Sequence, residues 1–326
     1  MFHISDTLLN KLIYIVFLIL IVSASDISGQ SVMGPYWLYD NHYLTDKFVI
    51  NPAFSGKQYD PKVFVSTQRM AVSLKDAPAV HIAGAHGRLG LKHNRFVKSG
   101  SVFKDIRHAI GGLVFADNNG PFKSIGFKFD YAYIFPLNQR GTTMSLGLGG
   151  MLFSKGLNLD KYYAADPNDP LIAANIGSRV MIPDVNAGVL ISHDQLYVGL
   201  SVSQLLENSY QFSNFNYTTP QVFRNYYLLT GYRLVYKNFE LEPSIAAGYN
   251  LDTRKFGNNG KFVDLNLEFY LKPAVFTLSY RVEGYMTTSF QYRVEQLELG
   301  IRIDLFSTNS SDARLSGFVL MAAYTF

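Results

Sequence analysis

Cysteine is absent from the 326 residues, and tryptophan occurs once, at Trp37. Without Cys there is no disulfide framework, no cysteine metal site, no cysteine nucleophile and no acylated lipid anchor. Charge is scarce as well. Asp, Glu, Lys and Arg make up 17% of the chain, against about 25% in an ordinary soluble domain. Long apolar runs are missing: the longest, Leu12 to Val22, is too short to cross about 30 Å of hydrocarbon as a helix. What abounds is aromatic and small, with 22 Tyr, 25 Phe and 26 Gly in a chain that is 48% hydrophobic. That composition excludes disorder, which needs low hydrophobicity and high charge. It leaves open where so much aromatic surface is placed.

Lys11 precedes the apolar run, and Ser23, Ala24 and Ser25 follow it. This is the layout of a secretory signal peptide, with cleavage after Ala24, Ser25 or Gly29. Residues 1–29 are assigned to it, 30–62 to an N-terminal periplasmic or plug segment, and 63–326 to one large domain. The chain is expected to be exported and to lack a spanning helix.

From Lys62 onward the pattern is period-two alternation. Val263, Leu265, Leu267, Phe269 and Leu271 share one face, with Asp264, Asn266, Glu268 and Tyr270 on the other. Phe127, Phe129, Tyr131, Tyr133 and Phe135 alternate with Lys128, Asp130, Ala132 and Ile134, and Leu297 to Leu305 with Glu298, Gly300, Arg302 and Asp304. Successive strand side chains point to opposite sheet faces, so each segment has one apolar and one polar surface. Many segments are long enough for a tilted membrane crossing. The polar faces carry neighbouring opposite charges (Arg281 with Glu283, Arg302 with Asp304), as suits a wet lumen. Phe122, Phe135, Tyr236, Phe239 and Phe262 sit near segment ends, as in interfacial girdles. In hydrocarbon every backbone amide must be paired, so strands span only as a closed barrel. The fold class is all-β, an antiparallel transmembrane β-barrel.

The expected strands are 63–74, 78–87, 108–117, 122–135, 142–153, 184–193, 195–204, 222–236, 239–251, 261–271, 274–284, 286–293, 295–305 and 314–326. That makes about fourteen, an even number as bacterial outer-membrane barrels require, provided 286–305 is divided. Short connections (Pro136–Gly141, His193–Asp194, Lys237–Asn238, Lys272–Pro273) alternate with longer ones (154–183, 205–221, 252–260, 306–313). Short periplasmic turns and long outer loops are the expected asymmetry. The last segment ends on Phe326, with Phe318, Leu320, Ala322 and Tyr324 on its face. It resembles the terminal signal read by the outer-membrane assembly machinery.

No catalytic, cofactor or metal pattern is found. There is no Gly-x-Ser-x-Gly elbow and no His-Glu-x-x-His, and the seven His residues show no ligand spacing. His81 and His86 face opposite sides of a strand. Gly147, Gly149 and Gly150 lie within a strand and are read as relieving crowding. The protein is read as non-enzymatic, without cofactors and without a nucleic-acid partner.

Read in order, further landmarks carry a resemblance. Val49-Ile-Asn51-Pro52-Ala53-Phe-Ser-Gly56 precedes the first strand, Gln68-Arg69, Pro78 and Gly87-Arg88-Leu89 mark the first hairpin, and Gly111-Gly112 to Asp117-Asn-Asn-Gly120 leads to Tyr131-Ala-Tyr133. Leu146-Gly-Leu-Gly149-Gly150, Lys155 to Asp160, Pro183-Asp184, Tyr197-Val-Gly199, Gly231-Tyr232, Pro243-Ser244 and Tyr280-Arg281 continue the series. Together they resemble the PorP/SprF family of type IX secretion system-associated outer-membrane proteins of Bacteroidetes, over roughly 40–326. Gln30 to Tyr39 departs from the family's usual Gln-Asp-Pro opening, and Met70-Ala71-Val72 from its Asn-Gln-Trp, which leaves the subgroup open. The resemblance implies a barrel in outer-membrane lipid that anchors, or helps export, a secreted client with a type IX C-terminal domain. It also implies contact with periplasmic secretion or motor components. The other reading is a porin or channel for small or apolar solutes.

Three regions are candidates for partner contacts. The connection 88–107 holds Arg88, Lys92, Arg95, Lys98, Lys104 and Arg107 against Asp105 alone, and would attract an acidic periplasmic partner. It is equally read as a solvated loop. The outer loop 205–221 carries Tyr210, Phe212, Phe215 and Tyr217, which suit a recognition surface or an inward plug. The segment 34–62 around Asn51, Pro52, Ala53 and Gly56, with Tyr36, Trp37, Tyr39 and Tyr43, plugs the lumen or holds a partner there.

Overall fold

The computed structural model describes residues 45–58, 60–70, 77–89, 107–120, 122–138, 141–157, 179–209, 222–250, 261–282, 285–306 and 317–326. Fifteen strand segments are found among them: β1 (Lys62–Arg69), β2 (Ala79–Arg88), β3 (His108–Asn119), β4 (Phe122–Pro136), β5 (Thr143–Leu157), β6 (Arg179–His193), β7 (Leu196–Ser203), β8 (Asn225–Tyr232), β9 (Leu234–Val235), β10 (Glu240–Asn250), β11 (Lys261–Leu271), β12 (Ala274–Arg281), β13 (Tyr285–Val294), β14 (Leu297–Phe306) and β15 (Gly317–Thr325). Neighbours in sequence pair antiparallel, and β15 pairs with β1, which closes the sheet.

Segments β8 and β9 are one crossing. Leu241 lies opposite Leu234 and Ser244 opposite Gly231, so the register runs unbroken across Arg233. The gap falls beside Pro243, which has no N–H to donate to a ladder. The barrel therefore has fourteen antiparallel strands and no free edge. Residues 286–305 do divide into β13 and β14, at a turn where Glu295 adopts φ 54°.

Two expected strands were too short. β5 reaches Leu157, and β6 begins at Arg179. Among the described residues, β6 outruns β7, whose first partner is Ala187. Pro183 sits in that overhang, where its carbonyl accepts from Asn208 and no ladder needs its missing N–H. The proline, at the end of the stretch expected as a loop, marks an unladdered side of the strand. The first strand ends earlier than expected, at Arg69.

Alternation sets the two surfaces. Phe127, Phe129, Ile125, Leu148 and Leu299 are half or more exposed on the outer face, although water is the wrong solvent for them. Lys128, Asp130, Asp264 and Asp304 point inward and are buried. No helix among the described residues is long and apolar enough to cross a membrane. One girdle assignment is corrected. Phe262 is turned inward against Tyr227 and under the Arg281 guanidinium, filling the space beside Gly248. Phe64, Phe115, Phe153 and Tyr197 are also inside, so the lumen takes a share of the aromatics whose placement composition left open.

β1 begins and β15 ends at the same end of the barrel, together with the short turns at 194–195, 272–273 and 295–296. In barrels of this kind the short-turn end faces the periplasm. The long connection 89–107 is at this end too.

Candidate functional site

Residues 45–58 run into the lumen from the termini end and return to β1. Two single-turn 3₁₀ helices shape them. Asp46 caps Lys47–Val49, its Oδ1 accepting from the Phe48 N–H at 3.0 Å. Asn51 caps Pro52–Phe54, its Oδ1 accepting from the Ala53 N–H at 2.9 Å. Pro52 occupies the first helical position, where a missing N–H costs nothing, and the Ser55 hydroxyl donates to the Pro52 carbonyl at 2.7 Å. The Asn-Pro-Ala motif is thus a self-capped turn, and it forms the tip of a re-entrant wedge.

The tip rests on backbone. A Cβ on Gly147 would lie 2.3 Å from the Ala53 nitrogen, and one on Gly188 2.1 Å from Asn51 Oδ1. The glycines of β5 and β6 leave room for this approach; Gly111 does the same beneath Phe48, and Gly199 beneath Phe54. The Asn51 amide donates to the Leu200 and Val189 carbonyls at 3.2 and 3.4 Å, and Ser201 donates to the Ile50 carbonyl at 2.8 Å. Lys128 donates to the carbonyls of Phe48 and Val49 while paired with Asp130 at 2.9 Å. Asn186 in turn donates to Asp130 at 3.1 Å. Phe48 and Phe54 are fully buried, an apolar gain of about 1.5–3 kcal/mol each.

Nearer the mouth the ties are ionic, and they straddle the lumen. Asp46 meets Lys62 at 3.2 Å and His86 at 2.9 Å on the β1–β2 side. Its neighbour Lys47 meets Glu268 at 3.5 Å and Glu242 at 3.6 Å on the β10–β11 side. Burial works against the charge on Asp46, but His86 and Lys62 outweigh it and hold the carboxyl well below its usual range. Burial likewise opposes the Lys47 ammonium, and Glu268, with Tyr197 and Glu242, holds it well above its own. Arg233 completes the acidic side, pairing with Glu242 at 2.7 Å and donating to Tyr270 at 3.0 Å. On the returning limb Ser55 offers its carbonyl to His86, Gly56 accepts from Arg88 Nε at 2.8 Å, and the Lys57 ammonium sits 3.6 Å over the Tyr197 ring.

Arg88, read as part of a basic loop, is therefore tied to the wedge. Arg107 holds the start of β3, its carbonyl accepting from the Ile134 N–H at 2.7 Å. Lys92, Arg95, Lys98, Lys104, Tyr210, Phe212, Phe215 and Tyr217 lie outside the described residues, as do 1–44 with Tyr36, Trp37, Tyr39 and Tyr43. Asn51, Pro52, Ala53 and Gly56 come together inside the barrel. The motif reading missed Asp46 and Lys47, which lead into the wedge, and the wall residues that hold it, His86, Lys128, Glu242 and Glu268. Inward parity on each strand selects the last four, but nothing in the chain marks them as neighbours of residues 46–56.

The pattern of the family described as "Type IX secretion system membrane protein PorP/SprF" matches residues 35–324. Among curated proteins, none is significantly similar in sequence. Solved outer-membrane structures are similar at low identity. Omp33 of Acinetobacter baumannii gives a TM-score of 0.46 at 9% identity, covering 83% of this chain and 100% of its own. The monoaromatic hydrocarbon channel CymD gives 0.47 at 10%, covering 92% and 95%. The P. putida toluene transporter TodX gives 0.49 at 7%, covering 86% and 93%.

Proposed function

Given that the chain belongs to the PorP/SprF family of type IX secretion system membrane proteins, we propose that this outer-membrane barrel is a non-enzymatic anchor. In this reading it holds or helps export a large secreted or cell-surface client and couples it to machinery in the periplasm. The observation that carries the reading is the wedge. A lumen that takes residues 46–56 of its own chain onto a glycine floor, with charge clamps on both walls, is arranged to hold polypeptide. The wedge serves as the plug of the periplasmic mouth. Arg88 joins the plug to the basic connection 88–107, so a partner with acidic groups that docks on Lys92, Arg95, Lys98, Lys104 and Arg107 bears directly on it.

The test is a pull-down from solubilised outer membranes, with the purified barrel reconstituted in parallel for conductance. Co-purification of an exported protein or a secretion component, with little ion current, is the expected result. Steady conductance with no such partner would replace the anchor by a channel.

A further inference from the structure

His86 touches both limbs of the wedge. Its Nδ1 is 2.8 Å from the Ser55 carbonyl oxygen, on the limb that follows the Asn51 tip. Its Nε2 is 2.9 Å from Asp46 Oδ2, on the limb that precedes it. A backbone carbonyl only accepts, and so does a carboxylate kept ionised by its surroundings. Both ring nitrogens must then carry hydrogen, which only the imidazolium provides. We propose that His86 is a two-sided latch: its second proton holds both limbs in the barrel, and the wedge loosens from its seat when that proton leaves.

The surroundings make the latch specific to this ring. On the wedge, Asp46 faces it, and Phe48 stacks on it with centroids 5.0 Å apart. β1 contributes Lys62, which shares Asp46 Oδ2, and the edge of Phe64. On β2 itself Arg88 is engaged with Gly56, and on β4 Lys128 and Asp130 are paired with each other. The neutral ring has one N–H for two acceptors, so a nitrogen lone pair would face either the carbonyl or the carboxylate. Lys62 still compensates Asp46, so the barrel keeps its charge balance while the tie between the limbs is lost. The sign follows directly. The seated state binds the proton more tightly than the released state, so seating is strongest at low pH and weakens as pH rises through the titration of the ring. Asp46 loses its charge only in strong acid, so the acid side leaves the latch intact.

The chain has no cysteine, so one introduced thiol reports on the wedge. Val49 is buried in the seat, and Lys237 is exposed on the turn between β9 and β10, away from the wedge. Maleimide labelling of Val49→Cys, divided by labelling of Lys237→Cys, cancels the pH dependence of thiol chemistry itself. In the full-length protein in detergent micelles this ratio should rise about tenfold between about pH 5.5 and about pH 8.5, the scale set by one charge-assisted hydrogen bond. In His86→Gln the ratio should be flat across that range. In Asp46→Asn the rise should begin at lower pH, because the carboxylate no longer favours the charged ring; this arm needs no His86 variant to fold. A flat ratio with His86 present, a rise retained in His86→Gln, or an unmoved midpoint in Asp46→Asn would each overturn the latch.

Discussion

Strands β2 to β7 and strands β11 to β14 line the same lumen with different chemistry. The second wall is completed mostly by its own strands, Glu268 excepted, which reaches Lys47 on the wedge. Arg281 lies directly opposite Asp264 in the register and grips it through two bonds of 2.6 and 2.8 Å. Ser279 lies opposite Asn266 and donates to it at 2.5 Å, and Thr287 lies opposite Asp304 and donates to it at 3.4 Å. Each of these groups finds its partner one strand away, so closing the sheet forms the contact. The first wall does not complete itself. Gly147, Gly188 and Gly199 expose backbone, and what covers it comes from residues 46–56, up to 151 positions distant in the chain. One wall is finished by register, the other by an insertion.

The difference can be broken from either side, and the self-sufficient wall should give the largest effect. Asp264→Ala removes the bidentate partner of a mostly buried guanidinium. Breaking such a pair costs about 3–5 kcal/mol, to be read from urea unfolding in lipid vesicles. The same variant should leave Val49→Cys labelling unchanged, because the described ties of the wedge on this side run to Glu242 and Glu268. Next comes Gly147→Ala. Its methyl group would intrude on the Ala53 nitrogen, and overpacking of this kind costs about 1–3 kcal/mol. The loss should fall on the wedge, seen as faster Val49→Cys labelling in a barrel that still migrates as folded. Gly150→Ala, three residues along the same strand, meets nothing within 4 Å and should stay within about 0.5 kcal/mol of the parent. Equal costs at the two glycines would refute the seat.

The same contrast explains how much could be read from the chain. Alternation on β11, β12 and β14 identified the inward residues Asp264, Arg281, Arg302 and Asp304, because a period of two needs only local information. The exact partners needed the register: Arg281 pairs with Asp264 across the sheet, while Glu283, its near neighbour in sequence, lies outside the described residues. Fourteen strands, the alternating connection lengths and the opposed faces of His81 and His86 were also local properties. The seat was not. Asn-Pro-Ala was recognisable as a motif, but its contact with Gly147 and Gly188 depends on how far up the lumen a re-entrant segment reaches. Phe262 was misplaced for a related reason. Its position near a strand end suggests a girdle, and only its parity with Asp264 shows that it points inward.

Two smaller effects sharpen the comparison. Asn51→Ala removes the cap of the Pro52–Phe54 turn together with the amide contacts to Val189 and Leu200. A lost N-cap costs about 1 kcal/mol, and here it should appear as wedge exposure, with barrel unfolding unchanged. The smallest effect is expected for Arg293→Ala. Arg293 and Glu298 are direct cross-strand partners at 2.7 Å, the same arrangement as Arg281 and Asp264. They differ in solvent: the Arg293 side chain is 59% exposed, whereas Asp264 is fully buried. An ion pair in water offers about 0.2–1 kcal/mol and is screened by salt. Arg293→Ala should therefore cost less than about 1 kcal/mol in urea unfolding at low salt and nothing measurable at about 1 M salt. If it cost as much as Asp264→Ala, register alone would set the strength of the self-sufficient wall, and burial would have no part in it.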